Sequence, residues 1–196
     1  NCGILKAKYI PLLPKSLTRC PLLNSAGVSR ESIASLPRNL KELIFQDRKV
    51  RLPISDLDIA LIPRELQVLK FENAESALSD PAIRNLPRKL TTLVHLTNTS
   101  FSGFGLAFLP STLRILHLPM NSTVSNSTIG KLPRTLVELV IMGDERILTS
   151  ACFKLLPPLM ERLYIKFLGG LSDKDLLNLP TSLKAINIPS SRLTCN

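Results

Sequence analysis

Side chains able to do chemistry are few in this chain and widely scattered. The four cysteines, Cys2, Cys20, Cys152 and Cys195, form no CxxC pair, no zinc-ligand spacing and no disulfide framework. Two histidines, His95 and His117, are too few for a histidine cluster, and no H-x-x-x-H occurs. The G-x-S-x-G nucleophile elbow, the GK[ST] phosphate loop and the G-x-G-x-x-G dinucleotide fingerprint are all missing. FSGFG, from Phe101 to Gly105, has the glycines of a phosphate loop, but it falls in register with the helix-cap segments of a repeat, and we read it as one of them. The residues point away from an enzyme, and to no metal and no cofactor.

The remaining residues recur at a fixed period. Aligning on Leu-Pro or Ile-Pro places prolines at Pro14, Pro37, Pro63, Pro87, Pro110, Pro133, Pro157 and Pro180, with spacings of 23 to 26 residues. Six residues past each proline stand Cys20, Leu43, Leu69, Leu93, Leu116, Leu139, Leu163 and Ile186. Two further on come Leu22, Phe45, Phe71, His95, Leu118, Ile141, Ile165 and Ile188. That period of two predicts a short strand with one buried face. A third column, three past the proline and mostly Leu, leads into it, as in Leu132 to Ile141, LPRTLVELVI.

Upstream of each proline the apolar spacing is helical, four residues before it (Ile10, Ile33, Ile59, Ile83, Leu106, Ile129, Phe153, Leu176) and directly before it. Eight residues before the proline stand Ser29, Ser55, Ser79, Ser102, Ser125, Thr149 and Ser172, the residue types that cap helix N-termini. Apolar residues just ahead of them, such as Val28, Ile54 and Val124, have the spacing of a hydrophobic staple. The proline bars helical geometry from the residue before it, so each helix is predicted to run about two turns. A unit this small cannot bury both faces alone, so neighbours must stack. The predicted architecture is an α/β solenoid of eight repeats with parallel strands on the concave face and short helices on the convex one. The whole of 1–196 reads as one repeat domain. Leu5 and the Leu193-Thr194 pair already occupy repeat positions, so the native chain is expected to extend further.

Composition agrees. About a fifth of the residues are Leu, aromatics make up 5% and Trp is absent, so the core must be aliphatic. A net charge of +10 favours acidic partners at low salt. No apolar run is long enough to span a bilayer. Unpaired cysteines lean toward a reducing compartment, whereas N-x-S/T sequons at Asn98, Asn121 and Asn126 pull the other way.

LPRTLVELVI and LPSTLRILHLPMN resemble the L-x-x-L-x-L-x-x-N core of the leucine-rich repeats, and the leading Leu-Pro is most similar to the repeats of secreted bacterial effectors and amoebal FNIP-type proteins. The resemblance implies a recognition module. The family's closing Asn is kept only at Asn98 and Asn121, with Asp144 a substitute, while Ser25, Arg48, Ala74, Leu168 and Ser191 stand elsewhere.

Function must then lie in the outward positions between the buried columns. In the middle repeats these are Thr92, Val94, Leu96, Ile115, His117, Glu138, Val140 and Met142, followed by Arg162, Tyr164 and Lys166. An apolar centre rimmed by charge suits a protein partner, and this face is the expected site. The alternative is a basic row directly after the prolines, Lys15, Arg38, Arg64, Arg88 and Arg134, which could hold nucleic acid or an anionic glycan. The extra residues of the one long repeat fall around Gln46 to Arg51.

Overall fold

Eight strands follow the eight prolines in a computed structural model of the chain, which describes residues 7–22, 28–46, 54–72, 79–95, 102–118, 124–142, 148–166 and 168–189. They are β1 (Arg19–Leu22), β2 (Glu42–Gln46), β3 (Val68–Glu72), β4 (Thr92–His95), β5 (Ile115–Leu118), β6 (Glu138–Ile141), β7 (Arg162–Ile165) and β8 (Ala185–Asn187). All are parallel and pair in sequence order in one open sheet. The register joins the residues that the proline alignment joins: Cys20, Leu43, Leu69, Leu93, Leu116, Leu139, Leu163 and Ile186 lie side by side across the sheet.

The proline begins the turn that feeds each strand. In every repeat the N–H three residues past the proline donates to the proline carbonyl, as Leu136 does to Pro133 at 3.1 Å. The N–H directly before the proline closes the helix by donating three residues back, as Leu132 does to Ile129 at 3.1 Å. Proline itself has no N–H and stands where none is needed. One carbonyl then accepts two N–H groups from the next repeat: Arg114 O takes those of Val137 and Glu138 at 2.8 and 2.9 Å. Hydroxyls two past the proline add a further tie, since Thr112, Thr135 and Ser182 each stand 2.7 to 2.8 Å from two carbonyls of the preceding turn, which share the single hydroxyl proton.

The α-helices are shorter than the expected two turns, which the 3₁₀ helices reach. α1 (Arg30–Ala34), α2 (Asp56–Ile59), α3 (Asp80–Arg84), α4 (Asn126–Ile129) and α5 (Asp173–Leu176) have four or five residues, and Ala7–Leu12, Gly103–Phe108 and Ser150–Leu155 are 3₁₀ helices. The cap fixes one end, and the extended residue before the proline fixes the other, with ψ of 143° at Leu109 and 145° at Leu156. Helices are wider than the strand spacing of about 4.8 Å, so the helical side of the stack forms the convex face.

The core lies between sheet and helices. Across the central repeats the columns at Leu40, Leu66, Leu90, Leu113, Leu136 and Met160 are fully buried, as are Ile33, Ile59, Leu106 and Ile129 on the helices. Phe45 and Phe71 stack with ring centroids 5.2 Å apart. The residues ahead of the caps, Val28, Ile54, Val124, Leu148 and Leu171, are buried as staples should be. His95 pairs with Phe71 through its backbone register, and its side chain lies outside the described residues.

All seven hydroxyl residues are N-caps, but their own N–H groups are satisfied in two ways. Ser29, Ser55, Ser125 and Ser172 receive a side chain from three residues on in the same helix: Ser32, Asp58, Thr128 and Asp175, at 2.9 Å in each case. In the other three helices that position holds Ala82, Gly105 or Cys152, which offer no oxygen. There the first helical residue of the preceding repeat supplies it, Asp56 to Ser79 at 2.9 Å, Asp80 to Ser102 at 3.0 Å and Asn126 to Thr149 at 3.1 Å. At Gly105 the two solutions exclude each other by volume, since a Cβ there would stand 2.6 Å from Asp80 Oδ1. Gly105→Asp alone is therefore expected to destabilise the protein by about 1–3 kcal/mol in urea unfolding. Combined with Asp80→Ala, the same change moves the cap acid into its own repeat and should recover most of that loss, a coupling of about 1–3 kcal/mol in a double-mutant cycle.

Asp58 is buried at its cap, which works to raise its pKa. The N–H and hydroxyl of Ser55 and the Arg30 guanidinium, 3.1 Å away, outweigh this and hold the carboxyl below the usual range. A depressed folded pKa contributes stability that is complete above the unfolded value and is lost as pH falls through the folded one. Melting temperature should fall below about pH 4, and Asp58→Asn should make that fall shallower; an identical acid limb in the variant would remove this cap as a cause.

Candidate functional site

Two rows of side chains stand on the outer side of the sheet. Register places Arg19, Glu42, Val68, Thr92, Ile115, Glu138, Arg162 and Ala185 in one row. The other runs Pro21, Ile44, Lys70, Val94, His117, Val140, Tyr164 and Asn187. Alternation within each strand aims these away from the core. Val68, Thr92, Ile115 and Val140 are half-buried by their row neighbours, forming a mainly apolar strip over β3 to β6.

Charge brackets that strip. At one end Arg19 Nε meets Glu42 Oε2 at 2.5 Å. At the other, Glu138 is held from two sides, by His117 Nε2 at 2.7 Å and by Arg162 Nε at 2.7 Å. Partial burial works to raise the Glu138 pKa, but the bonds from His117 and Arg162 prevail and hold it below the ordinary carboxylate range. Glu138 therefore stays ionised and locks the side chains on either side of it. His117, expected as an outward residue, is half-buried and serves as this partner.

Most of the expected site residues lie together here. Thr92, Ile115, His117, Glu138, Val140, Arg162 and Tyr164 share the two rows. Met142 and Lys166 follow directly after β6 and β7, half-buried, and Leu96 lies outside the described residues. Val94 is a correction: it points outward by register, yet it is only 7% exposed. Its row neighbours Lys70 and His117 flank a short β-branched side chain, so it serves as floor and offers little contact surface. The sequence reading stops at the middle repeats, whereas the register extends the face to Ile44, Val68 and Lys70, which follow from the same columns counted one repeat earlier.

The basic row is exposed at Lys15, Arg38, Arg64, Arg88 and Arg134. Arg64, however, caps helix ends, donating to Ala60 O at 3.1 Å and across the repeat boundary to Asn85 O at 2.8 Å. Lys15 and Arg38 flank a cleft of about 450 Å³ between the first two turns, with Pro11, Leu13 and Pro37 in its wall. Among the described residues no group of three or more His, Cys, Asp or Glu is placed to hold a metal ion. Cys20 and Cys152 are buried, and burial pushes the Cys152 thiol up to about 12, too high for a thiolate nucleophile. Asn126, one of the three sequon residues, spends both amide atoms on Thr149. Asn98, Asn121 and Asp144 lie outside the described residues, as does the long-repeat insertion from 47 to 51; Leu168, where the family has Asn, is buried. No helix among the described residues is long and apolar enough to cross a membrane.

Because Val94 is floor and Val140 is surface, aspartate should separate them. Val94→Asp is expected to cost roughly 2 kcal/mol or more, and Val140→Asp less than about 1 kcal/mol, as read by thermal or urea unfolding.

No protein-family model matches the chain, and no curated protein is similar to it in sequence. Solved structures are similar in fold. The leucine-rich-repeat-containing protein LegL7 of Legionella pneumophila matches with a TM-score of 0.52 at 12% identity, over 97% of this chain and 69% of its own. TLR13, solved in a complex with ssRNA13, matches with a TM-score of 0.57 at 16% identity, over 97% of this chain, which spans 31% of the TLR13 chain. With eight parallel strands in sequence order, short helices behind them and these two likenesses, the chain has the leucine-rich-repeat fold.

Proposed function

We propose that the chain, as one repeat domain over 1–196, is a non-catalytic scaffold that recognises another protein through the outer side of its sheet. The observation that carries this reading is the half-buried strip of Val68, Thr92, Ile115 and Val140 between the Arg19–Glu42 pair and the Glu138 cluster. Such a strip offers an apolar centre whose desolvation favours association, and a charged rim that fixes register. Side chains locked in advance by ion pairs lose less freedom on binding. Tyr164, beside Val140 in its row, adds the aromatic type that anchors interfaces.

The experiment is affinity capture with the tagged chain at low and moderate salt, comparing wild type with Ile115→Asp/Val140→Asp and with Tyr164→Ala. A protein retained by wild type at both salts and lost from the double variant, with circular dichroism unchanged, supports the reading. Equal retention by all three chains would place recognition elsewhere.

The second reading, binding of an acidic polymer along the basic row, draws on the four exposed cations Lys15, Arg38, Arg88 and Arg134 and on the RNA in the TLR13 complex. Against it stand the commitment of Arg64 to helix carbonyls and the interruption at Ser111. Polymer binding would be lost as salt rises, so the same capture distinguishes the two.

A further inference from the structure

Phe104 and Phe108 fall outside every buried column. They lie on the convex 3₁₀ helix Gly103–Phe108 and are 69% and 39% exposed, whereas Phe45, Phe71 and Phe153 are buried. A cation covers each ring: Lys131 Nζ stands 4.7 Å from the Phe104 centroid, and the Arg84 guanidinium stands 4.0 Å from that of Phe108. In the following repeat Leu155, 38% exposed, lies over Gly130. Arg84 on Phe108, Lys131 on Phe104 and Leu155 over Gly130 thus stand as a ledge along the helical side of four repeats.

The sequence around this ledge is rich in cations. From Pro81 to Val137, 57 consecutive residues, there are six Lys or Arg and no Asp or Glu. Asp80, the last acid before that run, is bound to Ser102 at its cap. Apolar side chains rimmed by cations, on the outward-curving side of a solenoid, match the interface of an anionic bilayer, which offers acidic headgroups above and an apolar layer just beneath. Single-stranded nucleic acid fits less well. Base stacking needs open ring faces, and here Lys131 and Arg84 already occupy one face of each ring.

We infer that this convex ledge is a docking surface for anionic lipid bilayers, separate from the sheet face proposed for protein recognition. Rings and Leu155 enter the interface while Arg84 and Lys131 remain at headgroup level. Attachment of this kind is reversible and weakens with salt.

The test is cosedimentation of the whole chain with phosphatidylcholine vesicles, with and without phosphatidylserine. Binding only to the phosphatidylserine vesicles, reduced several-fold by Phe104→Ser and by Lys131→Glu and unaffected by Ile115→Asp, is the expected result. Phe104 is mostly exposed, so its replacement leaves the fold intact, and circular dichroism checks this. No binding to the acidic vesicles, or binding that Phe104→Ser leaves unchanged, would overturn the inference. So would an oligothymidylate that binds through Phe104 while vesicles do not. Loss of vesicle binding in Ile115→Asp would assign lipid to the sheet face and overturn the separation of the two surfaces.

Discussion

Backbone groups without partners are the constraint on which this molecule depends. A helix leaves its first four N–H groups and last four carbonyls unpaired, so in helices of four to six residues nearly every peptide group needs an outside partner. The chain supplies these across repeat boundaries. Cap acids reach forward from one helix to the next, threonine hydroxyls reach back to the preceding turn, single carbonyls take two N–H groups from the next strand, and Arg64 covers carbonyls of two repeats. Aliphatic columns provide the driving force for stacking, but they would tolerate small slips along the solenoid axis. The polar ties do not, and it is they that set the register in which the outer rows line up.

The fold was legible because its signal is repeated eight times, and each copy corrects the noise in the others. Prolines, hydroxyl caps and strands emerge where the alignment puts them, and the columns are buried through the central repeats, whereas Leu176 and Ile186 of the last one are 44% and 42% exposed. Helix type was not legible, because the apolar spacing of i, i+3 is satisfied equally by one α turn and by 3₁₀ geometry. The outer rows were legible in direction and less so in exposure. Alternation says which way Val94 points, and only the three-dimensional neighbourhood of Lys70 and His117 says that it is covered. The bond between His117 and Glu138 was hidden for a similar reason, since it runs diagonally between rows that one-dimensional columns keep apart. Phe104 and Phe108 lie off the columns, where the repeat period carries no information. The available signal was two aromatic residues off the columns in a chain where aromatics are scarce.

The two faces of the solenoid differ in how their side chains are held. On the sheet, Glu138 draws His117 and Arg162 into a fixed constellation, and the β-branched residues have few rotamers to lose. On the helical side, Lys131 and Arg84 rest on aromatic rings at the surface, where rearrangement is cheap. A preorganised face suits a shape-specific partner, and an adaptable one suits a surface that has no fixed shape.

The matching of cap oxygens between neighbouring helices also limits how such a chain can grow. A helix that opens with Asp56, Asp80 or Asn126 must be followed by one with Ala82, Gly105 or Cys152 at its third position, and one that opens with Arg30, Gly103 or Ser150 by one carrying its own oxygen. Adjacent turns are therefore not freely interchangeable. Duplicating the repeat that starts at Asn126, with Thr128 at its third position, would put two oxygens at one cap. Duplicating the one that starts at Gly103 would leave a cap with none. Only some joins between copies are compatible, so the array behaves less like beads on a string than like a sentence with agreement between neighbouring words.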